Sequence, residues 1–241
     1  MRAGIMIVSL DDTYRCELVL QPARNAQGAL VGAEIVANFV GVASNVRAPA
    51  ELILPRLNAA ERITLFSEQL ALLESCQLFF LQHQLIAWIN ISGPVIEALL
   101  TDSQLAESVA KFPFLEFTIN ENYPDLNKGA ENRLLALFSE RYPLVLANFG
   151  SGAASTKAIF DGLFCRVALD KNFVHHRLTS ASFEPFMRVI LSQFAPYCRS
   201  VMIAGIDDET AFKRVAAYPF SAMQGNLWPA VTAAAITSLV H

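Results

Sequence analysis

Residues 85–118 read LIAWINISGPVIEALLTDSQLAESVAKFPFLEFT. Two short apolar runs, 85–91 and 114–118, have the length and bounds of strands, and residues 94–100 between them carry a helical pattern. Strand, helix and strand in that order predict a βαβ unit and a parallel sheet. Working outward, the same rhythm recurs along the chain. Earlier strands are expected at 17–20 and 31–40, and later ones at 144–148, 165–169, 201–204 and 221–224, eight in all. Helical patterns fall at 133–141, 156–160, 183–194, 209–217 and 230–240. The clearest helix follows Asn58, a good N-cap, with Ile63, Phe66, Leu70 and Leu73 on one face and Glu61, Arg62, Glu68 and Glu74 on the other. Eight such units in 241 residues have the size of a closed (β/α)₈ barrel. The alternative, a doubly wound open sheet, lacks the G-x-G-x-x-G that would support a dinucleotide site. The expected fold class is therefore α/β, a single-domain TIM-like barrel over residues 1–241.

Composition narrows the function. The chain is 54% apolar and 17% charged, which excludes disorder, and 18 Lys and Arg against 22 Asp and Glu leave a net charge of −4. Direct nucleic-acid binding is not expected without clustered cations to neutralise phosphates. No apolar run reaches the roughly 18–20 residues of a membrane helix; the longest, 29–43, is broken by Glu34 and Asn38. The apolar run 4–10 leads into Asp11 and Asp12 without a cleavage site, so no signal peptide is expected. Cys16, Cys76, Cys165 and Cys198 are scattered, as buried, reduced thiols in a cytoplasmic protein would be.

In a barrel, polar residues at the C-terminal ends of the strands line the functional mouth. That reading selects Glu34, Asn90, Glu116, Asn148, Asp170 and Gln224. Taken singly, each is most simply a hydrogen-bonded barrel residue. Together they carry a resemblance. Gln21 and Pro22 match a family's opening Q-P, and Glu34, Ile35 and Val36 stand at its E-A-L. Asn90, Ile91 and Ser92 match N-I-S, and residues 115–118, LEFT, match the start of L-E-I-T-E. Residues 147–152, ANFGSG, stand at D-D-F-G-T-G, and 168–170, ALD, at K-I-D. Residues 204–207, AGID, stand at E-G-V-E, and Gln224 and Gly225 match Q-G. In order and over nearly the whole chain, this is similar to the EAL domain, a (β/α)₈ barrel whose active members hydrolyse cyclic di-GMP with two divalent metals.

What the resemblance implies turns on the departures. Gln21, Glu34, Asn90, Glu116, Asp170 and Gln224 are retained positions of the family's cleft. The Asp-Asp pair that anchors the metals is Ala147 and Asn148, which offer two hard cations one neutral carbonyl. Ala168 replaces the lysine beside the attacking water, and Ala204 replaces a further glutamate. Ile119 stands where a glutamate fixes the loop above the mouth, and Asn38 replaces the arginine that clamps a substrate phosphate. Losing one preorganised charged group already costs a few kcal/mol of transition-state stabilisation. The expectation is a protein without catalytic residues, bound metal or cofactor. Specific binding of cyclic di-GMP, a double anion, is not expected without the guanidinium. Without Ile119's counterpart glutamate to support the loop, a monomer is expected.

Within the family, residues 112–122, 147–162, 170–173 and 224–229 resemble the enterobacterial YdiV-type anti-FlhDC factors, degenerate EAL domains that bind FlhD of the flagellar master regulator. That resemblance implies a protein-binding repressor whose partner is FlhD or the FlhD–FlhC complex. The runner-up is a cyclic di-GMP receptor or residual phosphodiesterase. Other constellations have plain readings. Ser151 and Ser155 lack a His-Asp relay, and His83, His175, His176 and His241 lack zinc spacing. Trp228 is read as packing, with a partner anchor as the alternative. Lys157 and Lys171 are placed near the mouth by family analogy and do not make a nucleic-acid surface.

Overall fold

The computed structural model describes residues 6–44, 46–152 and 156–240. In chain order the elements are β1 (Ile7–Ser9), β2 (Thr13–Arg24), β3 (Leu30–Gly41), β4 (Arg47–Ala48), α1 (Ala50–Ile53), α2 (Ala59–Gln82) and β5 (Ile86–Asn90). They continue with α3 (Gly93–Thr101), α4 (Ser103–Ala110), β6 (Leu115–Asn120), α5 (Arg133–Arg141), β7 (Leu144–Phe149) and α6 (Lys157–Phe160). The remainder is β8 (Arg166–Leu169), α7 (Lys171–Leu178), α8 (Phe183–Phe194), β9 (Ser200–Ile203), α9 (Glu209–Val215) and β10 (Ala222–Met223), followed by a 3₁₀ run, Ala233–Val240.

Strands β2, β10, β9, β8, β7, β6, β5 and β3 pair in that order, and β3 pairs back onto β2, which closes an eight-stranded barrel. All eight strands expected from the sequence are in it. One departs from the expected parallel pattern: β2 runs antiparallel to both β3 and β10. A short connection, 25–29, joins β2 to β3 as a hairpin, whereas a parallel pair would need a long crossover. Beyond the mouth the hairpin continues as a small antiparallel sheet flanked by β1 and β4.

Alternation along each strand divides the core. Outward residues such as Ile35, Ile89, Phe117, Leu146 and Val167 pack against the helices with Phe66, Leu73, Phe138 and Phe194. Inward residues are fewer: Ala23, Trp88, Val145, Met202 and Ala222 plug the lumen around the single large indole. Helix α2 begins as the sequence predicts, at a capping box in which the Asn58 Oδ1 accepts from the Glu61 N–H and Glu61 Oε2 accepts from the Asn58 N–H. Among the described residues no helix is long and apolar enough to cross a membrane.

Candidate functional site

The C-terminal ends of β3 and β5–β10 open at one mouth, and side chains there alternate along each strand except at the end of β7, where the register shifts between Leu146 and Phe149. Asn90 Nδ2 donates to the Thr118 carbonyl (3.2 Å) and Oγ1 (3.1 Å) and reaches the Asn120 Oδ1 at 3.4 Å. Asn148 Nδ2 donates to the same Asn120 Oδ1 at 3.1 Å. Asn148 sits at φ 57°, a left-handed backbone that asparagine tolerates better than most residues. The result is a belt of neutral amides and a hydroxyl, in which Asn90 and Asn148 both donate to the Asn120 side-chain oxygen. Ala147, Ala168 and Ala204 contribute only methyl groups, and Asn38 lies further along β3 on the same side as Glu34.

Two carboxylates stand near this belt. Glu34 accepts from Gln224 Nε2 at 3.4 Å, and burial raises its pKa against the smaller opposing effect of that hydrogen bond. Asp170 is buried and its Oδ1 accepts from the backbone N–H groups of Asn172 and Phe173, capping α7. Gln21 faces the chain's end, donating to the Trp228 carbonyl at 2.8 Å. A pair of divalent cations calls for several charged oxygens facing one space. Here desolvation raises the pKa of one carboxyl and the other caps a helix. Among the described residues no three His, Cys, Asp or Glu side chains gather in a way that could hold a metal. The residues present do not fit the family's metal pair.

The structure corrects the sequence reading of β6. Glu116 is the second residue of that strand and lies at the opposite end of the lumen from the mouth. Its carboxylate accepts both from Arg166 Nε (2.8 and 3.0 Å) and from Trp88 Nε1 (2.9 Å), and Arg166 in turn donates to Ser200 Oγ. Ile119 points outward and is fully buried in the core, so it occupies no cleft position. The loop contact expected of a glutamate there is made by Glu121, whose Oε2 accepts from Gly150 N (3.1 Å), Ser151 N (2.7 Å) and Ser151 Oγ (2.7 Å). The motif therefore sits two residues later, at 117–121, FTINE, and the position of its first carboxylate falls on Thr118. A shift of two keeps every side chain on the same face, so alternation could not reveal it. The ground for expecting a monomer goes with it.

Lys157, in the segment that follows the C-terminal end of β7, is tied to Asp161 (2.9 Å), Glu131 (3.4 Å) and the Lys128 carbonyl. His175 Nε2 meets the Gly205 carbonyl (3.0 Å) and Asp207 Oδ2 (3.1 Å); both are acceptors, so this nitrogen carries the proton. Trp228 packs edge-on against Phe212. Ser155 and His241 lie outside the described residues. Sequence reasoning missed Thr118, Asn120, Glu121 and Arg166. The spacing of Glu121 to the Gly150 loop motif was the available signal for one of them.

A barrel that opens on an antiparallel hairpin, with these motifs at its strand ends, defines a class. The chain belongs to the EAL-domain family, whose sequence pattern matches residues 10–230. It is 53% identical to the anti-FlhC(2)FlhD(4) factor YdiV of Salmonella typhimurium, over 98% of this chain and 100% of that one. It is 44% identical to the putative anti-FlhC(2)FlhD(4) factor YdiV of Escherichia coli K12, with the same coverage. The crystal structure of an EAL-like domain protein YdiV superposes with a TM-score of 0.87 at 44% identity, covering 95% of this chain and 97% of that one.

Proposed function

We propose that the chain is a non-catalytic EAL protein, one domain over residues 1–241, that binds FlhD or the FlhD–FlhC complex in the cytoplasm and represses flagellar genes. The observation that carries this reading is the full-length identity to anti-FlhC(2)FlhD(4) factors. The mouth supports it from the chemical side. Amides and methyls stand where hydrolysis would need metal-binding carboxylates, and the cleft at Gln21, Glu34, Asn90, Asp170 and Gln224 is a vestige that serves the fold.

Two measurements test this. Purified FlhD–FlhC should co-elute with the folded chain and lose its promoter binding as the chain is added; separate elution at micromolar concentrations would refute the reading. Incubated with manganese and cyclic di-GMP, the chain should leave the nucleotide intact, and calorimetric titration should show no micromolar site.

A further inference from the structure

Opposite the mouth, the loops leading into β7, β8 and β9 enclose a cleft of about 650 Å³. Its lining includes Arg141, at the end of α5, and Arg199, just before β9, against a single acid, Glu140. Arg199 is held by its backbone N–H, which donates to the Cys165 carbonyl at 2.8 Å, and among the described residues its guanidinium forms no ion pair with a carboxylate. On the lip stands an exposed aromatic pair: Tyr197 is 44% and Phe160 41% exposed, with ring centroids 4.9 Å apart. Leu137, also exposed, lies one helical turn before Arg141 on the same face of α5. Exposed aromatics beside an arginine are the composition of interface anchors, and a contiguous exposed apolar patch marks contact surface.

We propose that this cleft docks an acidic segment of a partner protein, its carboxylates facing Arg199 and Arg141 and an apolar side chain resting on the Phe160–Tyr197 pair. On a chain of net charge −4, a cleft lined by two arginines and one glutamate is locally complementary to acid, with the Arg199 guanidinium the nearer cation because Arg141 Nη1 reaches the Leu100 carbonyl at 3.5 Å. The inference rests on the proposed function for the identity of the partner, and it places that partner on the end of the barrel away from the vestigial mouth.

The test measures binding of purified FlhD–FlhC to the wild-type chain and to Tyr197→Ala, Phe160→Ala and Arg199→Glu, with Leu78→Ala, exposed on α2, as a control and a thermal melt on each to show that it folds. The three cleft variants should each lose affinity by about tenfold or more while the control binds as wild type. Wild-type binding by all three folded variants would overturn the proposal. If the wild-type chain itself fails to bind FlhD–FlhC, the functional reading falls, and random-peptide display on the chain decides the cleft alone. Enrichment of acidic, aromatic-containing peptides that Arg199→Glu abolishes supports the docking site; no acidic enrichment refutes it. Self-association that Tyr197→Ala abolishes would also refute it, because the occupant would be a second copy.

Discussion

Glu121 holds the loop after β7 with one oxygen, through three donors, while its Oε1 is buried with no partner among the described residues. Glu121→Ala strands the Gly150 N–H, while the Ser151 N–H keeps the Asn148 carbonyl, and should cost about 1–3 kcal/mol. Glu121→Gln keeps an accepting oxygen and should cost about 1 kcal/mol. Urea melts measure both, and in Glu121→Ala hydrogen exchange should quicken at Gly150 and Ser151. Equal losses for the two variants would show that the three donors are not what matters. Glu34 gives a prediction of opposite sign. Its folded pKa lies above its ordinary 4.5, so the folded chain holds the extra proton, and stability falls as pH rises through that window. Glu34→Gln removes the fall. Its Tm should exceed wild type at neutral pH and converge with it near pH 4. A constant difference across that range would mean the carboxyl does not titrate as its burial requires.

Helix α7 shows what becomes of a site residue when its chemistry is absent. Asp170 serves as N-cap, and Asp170→Ala should cost about 1 kcal/mol in a denaturant melt, equally with manganese or with chelator. A loss that appears only with manganese would return the residue to metal binding. How much of the molecule was legible follows element by element. The barrel strands were readable because each is a short apolar run between turn signals, and α2 because its cap and stripe agree. The direction of β2 was not, since a strand alternates identically whichever way it runs. The register of the β6 motif was hidden by the same two-residue period, and only the partners of Glu116 and Glu121 resolve it. Helix α7 was partly concealed because its eight residues, KNFVHHRL, bury little besides Val174.

Across the whole molecule, one polar link spans the floor of the lumen. Glu116, Trp88, Arg166 and Ser200 join β6, β5, β8 and β9 around a largely buried ion pair. Glu116→Ala leaves the guanidinium uncompensated and should cost about 3–5 kcal/mol, whereas Glu116→Leu with Arg166→Met should recover much of that. Chemical denaturation of both decides it; a double variant as unstable as the single would place the loss in packing. The antiparallel first strand has a consequence for how the ring is assembled. Arg24 must meet Met223, Leu20 must meet Val231, and the Arg24 guanidinium must reach the Leu239 carbonyl. During synthesis, the strands from β2 to β9 emerge from the ribosome as an open, growing sheet with two raw edges. The ring shuts only after residues 223–239 are made, a late pairing of distant segments of the kind that slows folding. Until then the nascent chain exposes its unpaired edges to aggregation and chaperones, so cellular supply of this protein should depend on how quickly that final seam closes.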